Sequence, residues 1–194
     1  MIGKVYGIPP QPPVAEHTRK VEAGAVVFGV EYRDLDPEGL VDTYKDNAAY
    51  LAEMLEQSPE GGFTDEGVSI HVWGADDGHE YLRFDAFDDE PHYHYIHRPA
   101  EAGPDELNGT EIVNNVIDFD TVAHGDMLTW ALERIRTRLP EMLAEAGGGH
   151  LVARLDPVAV EGAVGQADEM ARQAQRAFRE RRAGPTATST GSRT

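Results

Sequence analysis

The sequence predicts an α+β domain, a mostly antiparallel sheet of four or five strands with two helices packed on one face and a further helix at the C-terminus. Three observations lead there. Apolar residues alternate with period two over residues 26–32, 68–72 and 82–86, and apolar stripes of helical period begin behind the capping residues Asp36 and Asp126. The resulting order of strand, helix, strands, helix is one that segregates helices to one side of a sheet. At 194 residues with 40% hydrophobic content, the chain has room for one core rather than two.

Residues 1–23 carry Pro9, Pro10, Pro12 and Pro13 without a sustained apolar period and read as a proline-rich extended arm. The α+β domain then spans residues 24–149. Its first strand puts Val26, Phe28, Val30 and Tyr32 on one face. Asp36 followed by Pro37 opens a helix whose apolar positions are Leu40, Val41, Tyr44, Ala48, Leu51 and Leu55, and which stops at Ser58-Pro59.

A hairpin follows. With Gly78 in the left-handed region of a three-residue loop, Val72 faces Leu82 and Ile70 faces Phe84, so the other face pairs Trp73 with Tyr81, His71 with Arg83 and Ser69 with Asp85. A four-residue connection over residues 88–91 would then pair Phe87 with His92 and Asp85 with His94 in a third strand. Asn108-Gly109 marks a turn, and Ile112, Val113, Val116, Ile117 and Phe119 suggest another strand, weakened by Asn114-Asn115. Asp126 caps a second helix through Leu128, Ala131, Leu132, Ile135 and Leu139, which Pro140 should bend or split and Gly147-Gly148-Gly149 should stop. Residues 150–183 form the C-terminal helix, entered at Asp156-Pro157, with a narrow stripe of Val160, Val164, Ala167, Ala171, Ala174 and Phe178. Residues 184–194 are expected to be a disordered tail.

Composition removes several function classes. Thirty-five acidic residues against 17 lysines and arginines give a formal charge of −18, which repels phosphate backbones and anionic membrane surfaces. No nucleic acid or membrane partner is expected. The absence of cysteine leaves any metal to imidazole and carboxylate ligands. With no long apolar run and no secretory pattern at the N-terminus, a cytoplasmic location is expected. Hydrolase, kinase and dinucleotide-binding motifs do not occur, and the acidic turns around Asp76-Asp77 and Asp88-Asp89-Glu90 lack EF-hand spacing.

One constellation stands out. In His92-Tyr93-His94-Tyr95-Ile96-His97 the His-x-His spacing places two imidazoles on one face of a strand, about 7 Å apart at Cα, and the expected register adds Asp85 beside them. Two imidazoles and a carboxylate are the ligand set of open zinc and non-haem iron sites, so a divalent metal, zinc or iron, is the candidate cofactor. His71, on the same face, is a fourth candidate ligand or a supporting partner of the ligands, with Arg83 between them able to orient Asp85. The same residues can instead be polar positions of a half-exposed strand, or a proton-responsive histidine cluster.

The stretch from Arg83 to Ile96, Arg-Phe-Asp-Ala-Phe-Asp-Asp-Glu-Pro-His-Tyr-His-Tyr-Ile, resembles a signature of an uncharacterised bacterial domain family found mainly in actinomycetes, with similarity from about Phe28 to about Gly147. The resemblance implies a discrete domain and carries no reaction. Two functions are therefore expected from the residues. The first is a small non-catalytic accessory or subunit protein that docks on a protein partner, or on a second copy, through its arm and C-terminal helix. The alternative is a metal-binding protein or metal-dependent enzyme using Asp85, His92, His94 and His71.

Overall fold

The computed structural model describes residues 3–97 and 113–183; the Asn108-Gly109 turn and the tail 184–194 lie outside the described residues. Seven strands form one antiparallel sheet: β1 (Lys4–Tyr6), β2 (Arg19–Ala23), β3 (Val26–Leu35), β4 (Asp65–Gly74), β5 (Glu80–Phe87), β6 (His92–His97) and β7 (Val113–Asp118). Their order across the sheet is β1-β7-β6-β5-β4-β3-β2. The helices are α1 (Pro37–Tyr44), α2 (Ala48–Gln57), the single turn α3 (Thr121–His124), α4 (Met127–Glu145), the short α5 (Gly149–Val152) and α6 (Pro157–Ala183). No helix among the described residues is long and apolar enough to cross a membrane.

The sheet exceeds the expected four or five strands because the proline-rich arm supplies both edges. Residues 4–6 pair with β7, and residues 19–23 pair with β3. Between those two stretches the chain crosses one face of the sheet, held by Gln11, whose amide donates to the Thr43 hydroxyl on α1 at 3.0 Å. An arm poor in apolar period can still be ordered when a sheet edge offers it backbone partners.

The helices also divide differently from the expectation that those of residues 36–57 and 126–146 share one face. The main core lies between α4, α5 and α6 and the face carrying Val26, Phe28, Val30, Val68, Ile70, Val72, Leu82 and Phe84. A second, smaller cluster of Ile8, Tyr44 and Met54 joins the arm to α1 and α2 over the opposite face. The expected single helix over residues 36–57 is two, since Asn47 interrupts it and caps α2 by accepting from the amides of Ala49 and Tyr50. By contrast α4 runs through Pro140 as one element.

The C-terminal helix packs on its own sheet. Val160, Ala163, Val164, Ala167 and Ala171 are buried in the main core, and small side chains let the helix approach closely. Gly162 and Gly165 are exposed, so their low helix propensity weakens no packing. Farther along, Phe178 stacks on Tyr32 with ring centroids 4.0 Å apart.

Candidate functional site

The face turned away from α4 and α6 is polar yet buried. Glu31, Arg33, Ser69, His71, Arg83, Asp85 and His94 are all below a tenth exposed, because the arm, α1 and α2 cover them. The β4–β5 register matches the expected pairs Val72/Leu82, Ile70/Phe84, His71/Arg83 and Ser69/Asp85, and Gly78 has φ +64° as the loop requires. The expected Trp73/Tyr81 pair is replaced by Trp73/Glu80, since a bulge inserts Tyr81. Tyr81 turns into the main core and Glu80 joins the polar face, the re-aiming that bulges perform.

Glu80 then organises the charge on that face. It accepts from Arg83 Nε at 2.8 Å and Nη2 at 2.6 Å, a two-pronged pair, and lies 2.6 Å from His71 Nδ1. His71 is thus occupied between Glu80 and Glu31, whose Oε2 is 3.5 Å from its Nε2. The remaining guanidinium capacity reaches the arm: Arg83 Nη1 donates to the Gln11 carbonyl at 2.8 Å, and Arg33 Nη2 donates to the Gln11 side-chain oxygen at 2.7 Å. On the far side Trp73 stacks on His71 and lies so close over Gly29 that a Cβ there would stand 2.3 Å from the ring.

Across the β5–β6 boundary the register is two residues from the expected one. Asp85 pairs with His92 and Arg83 with His94. The connection is wider because Asp65 on β4 captures the amides of Asp89 at 3.1 Å and Glu90 at 2.8 Å. A slip of two leaves every side chain on its expected face. Consequently Asp85, His92 and His94 do come together: Asp85 Oδ2 is 2.9 Å from His94 Nε2 and 3.3 Å from His92 Nε2, and one ligand atom from each residue lies within 4.8 Å of the others. His71 stands outside this group.

Each of the three is oriented from behind. The other oxygen of Asp85 accepts from the Ser69 hydroxyl, His92 Nδ1 lies 2.7 Å from the Glu90 carbonyl, and His94 Nδ1 lies 2.8 Å from the Asn114 side-chain oxygen. A carbonyl can only accept, so His92 Nδ1 carries a proton and Nε2 is left to face Asp85. There it must bear a second proton, or its lone pair and the carboxylate need a cation between them. Binding metal through one ring nitrogen while the other donates to an oxygen is the habit of metal-ligating histidines.

The electrostatics agree with a demand for positive charge. Burial opposes the Asp85 carboxylate, yet hydrogen bonds from His92 and His94 hold it well below the usual range. Burial is likewise outweighed at Glu80 by Arg83 and His71, and at Glu31 by the nearby His71 imidazole and a hydrogen bond from the Val14 amide, so both are lowered. Three ionised carboxylates therefore share this face with two guanidiniums. At His92 the bond to Asp85 overcomes burial and raises the proton affinity, whereas at His94 burial prevails and lowers it.

Beside the triad lies a cavity of about 430 Å³. Its floor includes Arg33, Arg83, Asp85, His92 and His94; its other walls are the arm, α1, α2 and β7. Glu31, Glu80 and Arg33 escaped the sequence reading. Glu80 was hidden by the bulge, but Glu31 and Arg33 occupy the outward positions of β3 and could have been placed by its alternation. Asn114 was read only as a weakness of β7, although an amide on the strand beside His94 suits a buried partner.

No curated protein and no solved structure matches the chain significantly. A family model described as a domain of unknown function (DUF7700) matches residues 20–173, extending the expected similarity on both sides to include β2 and most of α6. With that match covering most of its length, the chain belongs to the DUF7700 family.

Proposed function

We propose that the domain binds one divalent transition metal ion, zinc or iron, through Asp85, His92 and His94, with its free coordination positions turned to the adjoining cavity. The observation that carries this reading is the tethering of His92 Nδ1 to the Glu90 carbonyl, which commits Nε2 to the point where Asp85 and His94 also converge. Ligand atoms bound at about 2.1 Å are separated by about 3.0 Å along an octahedral edge and about 3.4 Å along a tetrahedral one. The Oδ2 to Nε2 separations of 2.9 and 3.3 Å are close to these edges, and all three ligand atoms lie within 4.8 Å of one another.

An ion so held would supply Lewis acidity to an oxygen-bearing ligand in the cavity. The protein's own contributions are orientation by Ser69, Glu90 and Asn114 and exclusion of bulk water by the arm. Docking on a partner through the arm and C-terminal helix is the less supported proposal. The arm's contacts and the inner stripe of α6 are already spent on this chain's own sheet.

The test is metal analysis of protein purified without an affinity tag, followed by calorimetric titration of the chelator-treated protein with zinc and iron(II). One equivalent bound by the native chain and lost in His94→Ala is expected. Absence of binding at micromolar concentrations in a folded protein overturns the proposal.

A further inference from the structure

We infer that the cavity beside Asp85, His92 and His94 receives a small organic carboxylate, with its anionic group at the triad and its apolar body under the arm and α1. The inference rests on the metal reading above and adds the class of ligand.

Charge is the first argument. Among the residues lining the cavity, Lys4, Arg33 and Arg83 match Asp85, Glu90 and Asp118 in number, so a divalent ion leaves an excess of positive charge. In a buried face this remainder is expensive to leave unmatched. A carboxylate on the open side of the ion offsets it, whereas an amine adds to the excess. The two guanidiniums reinforce the preference: both direct an N–H at the single carbonyl oxygen of Gln11, Arg83 at 2.8 Å and Arg33 at 3.3 Å. Arg83 is already matched by its two-pronged bond to Glu80, so Arg33, 3.9 Å from the Glu31 carboxylate, is the less neutralised of the two.

The second argument is the division of the cavity into unlike halves. Opposite the ionic floor stand Ile8, Leu40, Tyr44, Met54 and Phe63. Tyr44 adds no free polar group, because its hydroxyl donates to the Pro9 carbonyl at 2.9 Å and burial pushes its pKa up to about 12. A volume of about 430 Å³ suits a ligand of metabolite size, and an ionic floor beneath an apolar roof suits one with a charged head and a hydrocarbon body.

The experiment uses the full chain loaded with cobalt(II), whose visible absorption reports its coordination, and octanoate as the probe. The expected result is a protein-bound cobalt spectrum that octanoate shifts saturably, more tightly than acetate, while octanol and octylammonium leave it unchanged. A cobalt spectrum indifferent to octanoate, or moved equally by octanol, overturns the carboxylate inference and leaves the metal site standing. If no protein-bound cobalt spectrum develops, the metal reading fails and this inference with it. Leu40→Trp, which fills the roof and touches no ligand to the ion, should leave the cobalt spectrum as it is and weaken octanoate by about tenfold or more, or about 1.4 kcal/mol. Unaltered octanoate affinity in that variant overturns the placement of the apolar body.

Discussion

At the scale of single residues, the site depends as much on what stands behind the ligands as on the ligands themselves. The Asn114 side-chain oxygen lies 2.8 Å from His94 Nδ1, and Asn114 is 4% exposed. Replacing it with Leu removes the oxygen that orients the imidazole, and loss of such a partner typically weakens metal binding about 10- to 100-fold. Zinc titration of Asn114→Leu checks this; an affinity equal to that of the native chain would show that Asn114 is a filler of β7 and not a positioning group. Gly29 makes a different demand, since its hydrogen sits where a methyl group would meet the Trp73 ring at 2.3 Å. Gly29→Ala should destabilise by about 1–3 kcal/mol, the usual penalty of overpacking, and thermal unfolding measures it. An unchanged midpoint would mean the indole moves freely. The triad itself was legible because His-x-His and Asp85 obey the period-two rule. Glu80 was not, because a bulge breaks that rule and no pattern of apolar residues announces it.

At the scale of elements, the helices α4 and α6 and the pairing of β4 with β5 followed from apolar period alone, because each buries one clear stripe. The division of helices between two faces did not. Leu40, Tyr44 and Met54 look like positions for a main core, but they cover a face made of Glu31, Arg33, Arg83 and Asp85, and no local pattern distinguishes an apolar roof over charges from an apolar layer over apolar residues. The arm escaped for a related reason, since Gln11 and the backbone around it are placed by hydrogen bonds to distant arginines and not by hydrophobicity. For α6 the stripe fits equally well on a partner or on its own sheet, and burial of Ala167 to 1% exposure decides for the sheet. Ala167→Leu should therefore cost about 1–3 kcal/mol through overpacking, while Val158→Ala, at an 81% exposed position of the same helix, should fall within about 0.5 kcal/mol of the native chain. Equal and negligible effects at both sites, measured by denaturant unfolding, would place the inner stripe of α6 in solvent.

At the scale of the whole molecule, a sheet covered on both sides by unlike layers makes stability depend on pH in a predictable way. The folded pKa values of Glu31, Glu80 and Asp85 lie below their ordinary ones, so each contributes stability that is present above the ordinary carboxylate range and is lost as pH falls through the folded value. His92 works in the opposite sense: its raised pKa contributes stability below an ordinary histidine pKa and loses it as pH rises through the folded value. His94, lowered by burial, contributes above the ordinary value and loses it as pH falls. The two histidines oppose each other. The three lowered carboxylates should accordingly make the unfolding temperature of the metal-free protein fall steeply below about pH 4. Zinc should raise the unfolding temperature at pH 7 by mass action, and the increment should vanish on acidification as protons displace the ion from imidazole. Scanning calorimetry across pH 3 to 8, with chelator and with zinc, separates the two curves. A zinc increment that persists undiminished at about pH 4 would place the ion on carboxylates elsewhere, since neither His92 nor His94 could then hold it.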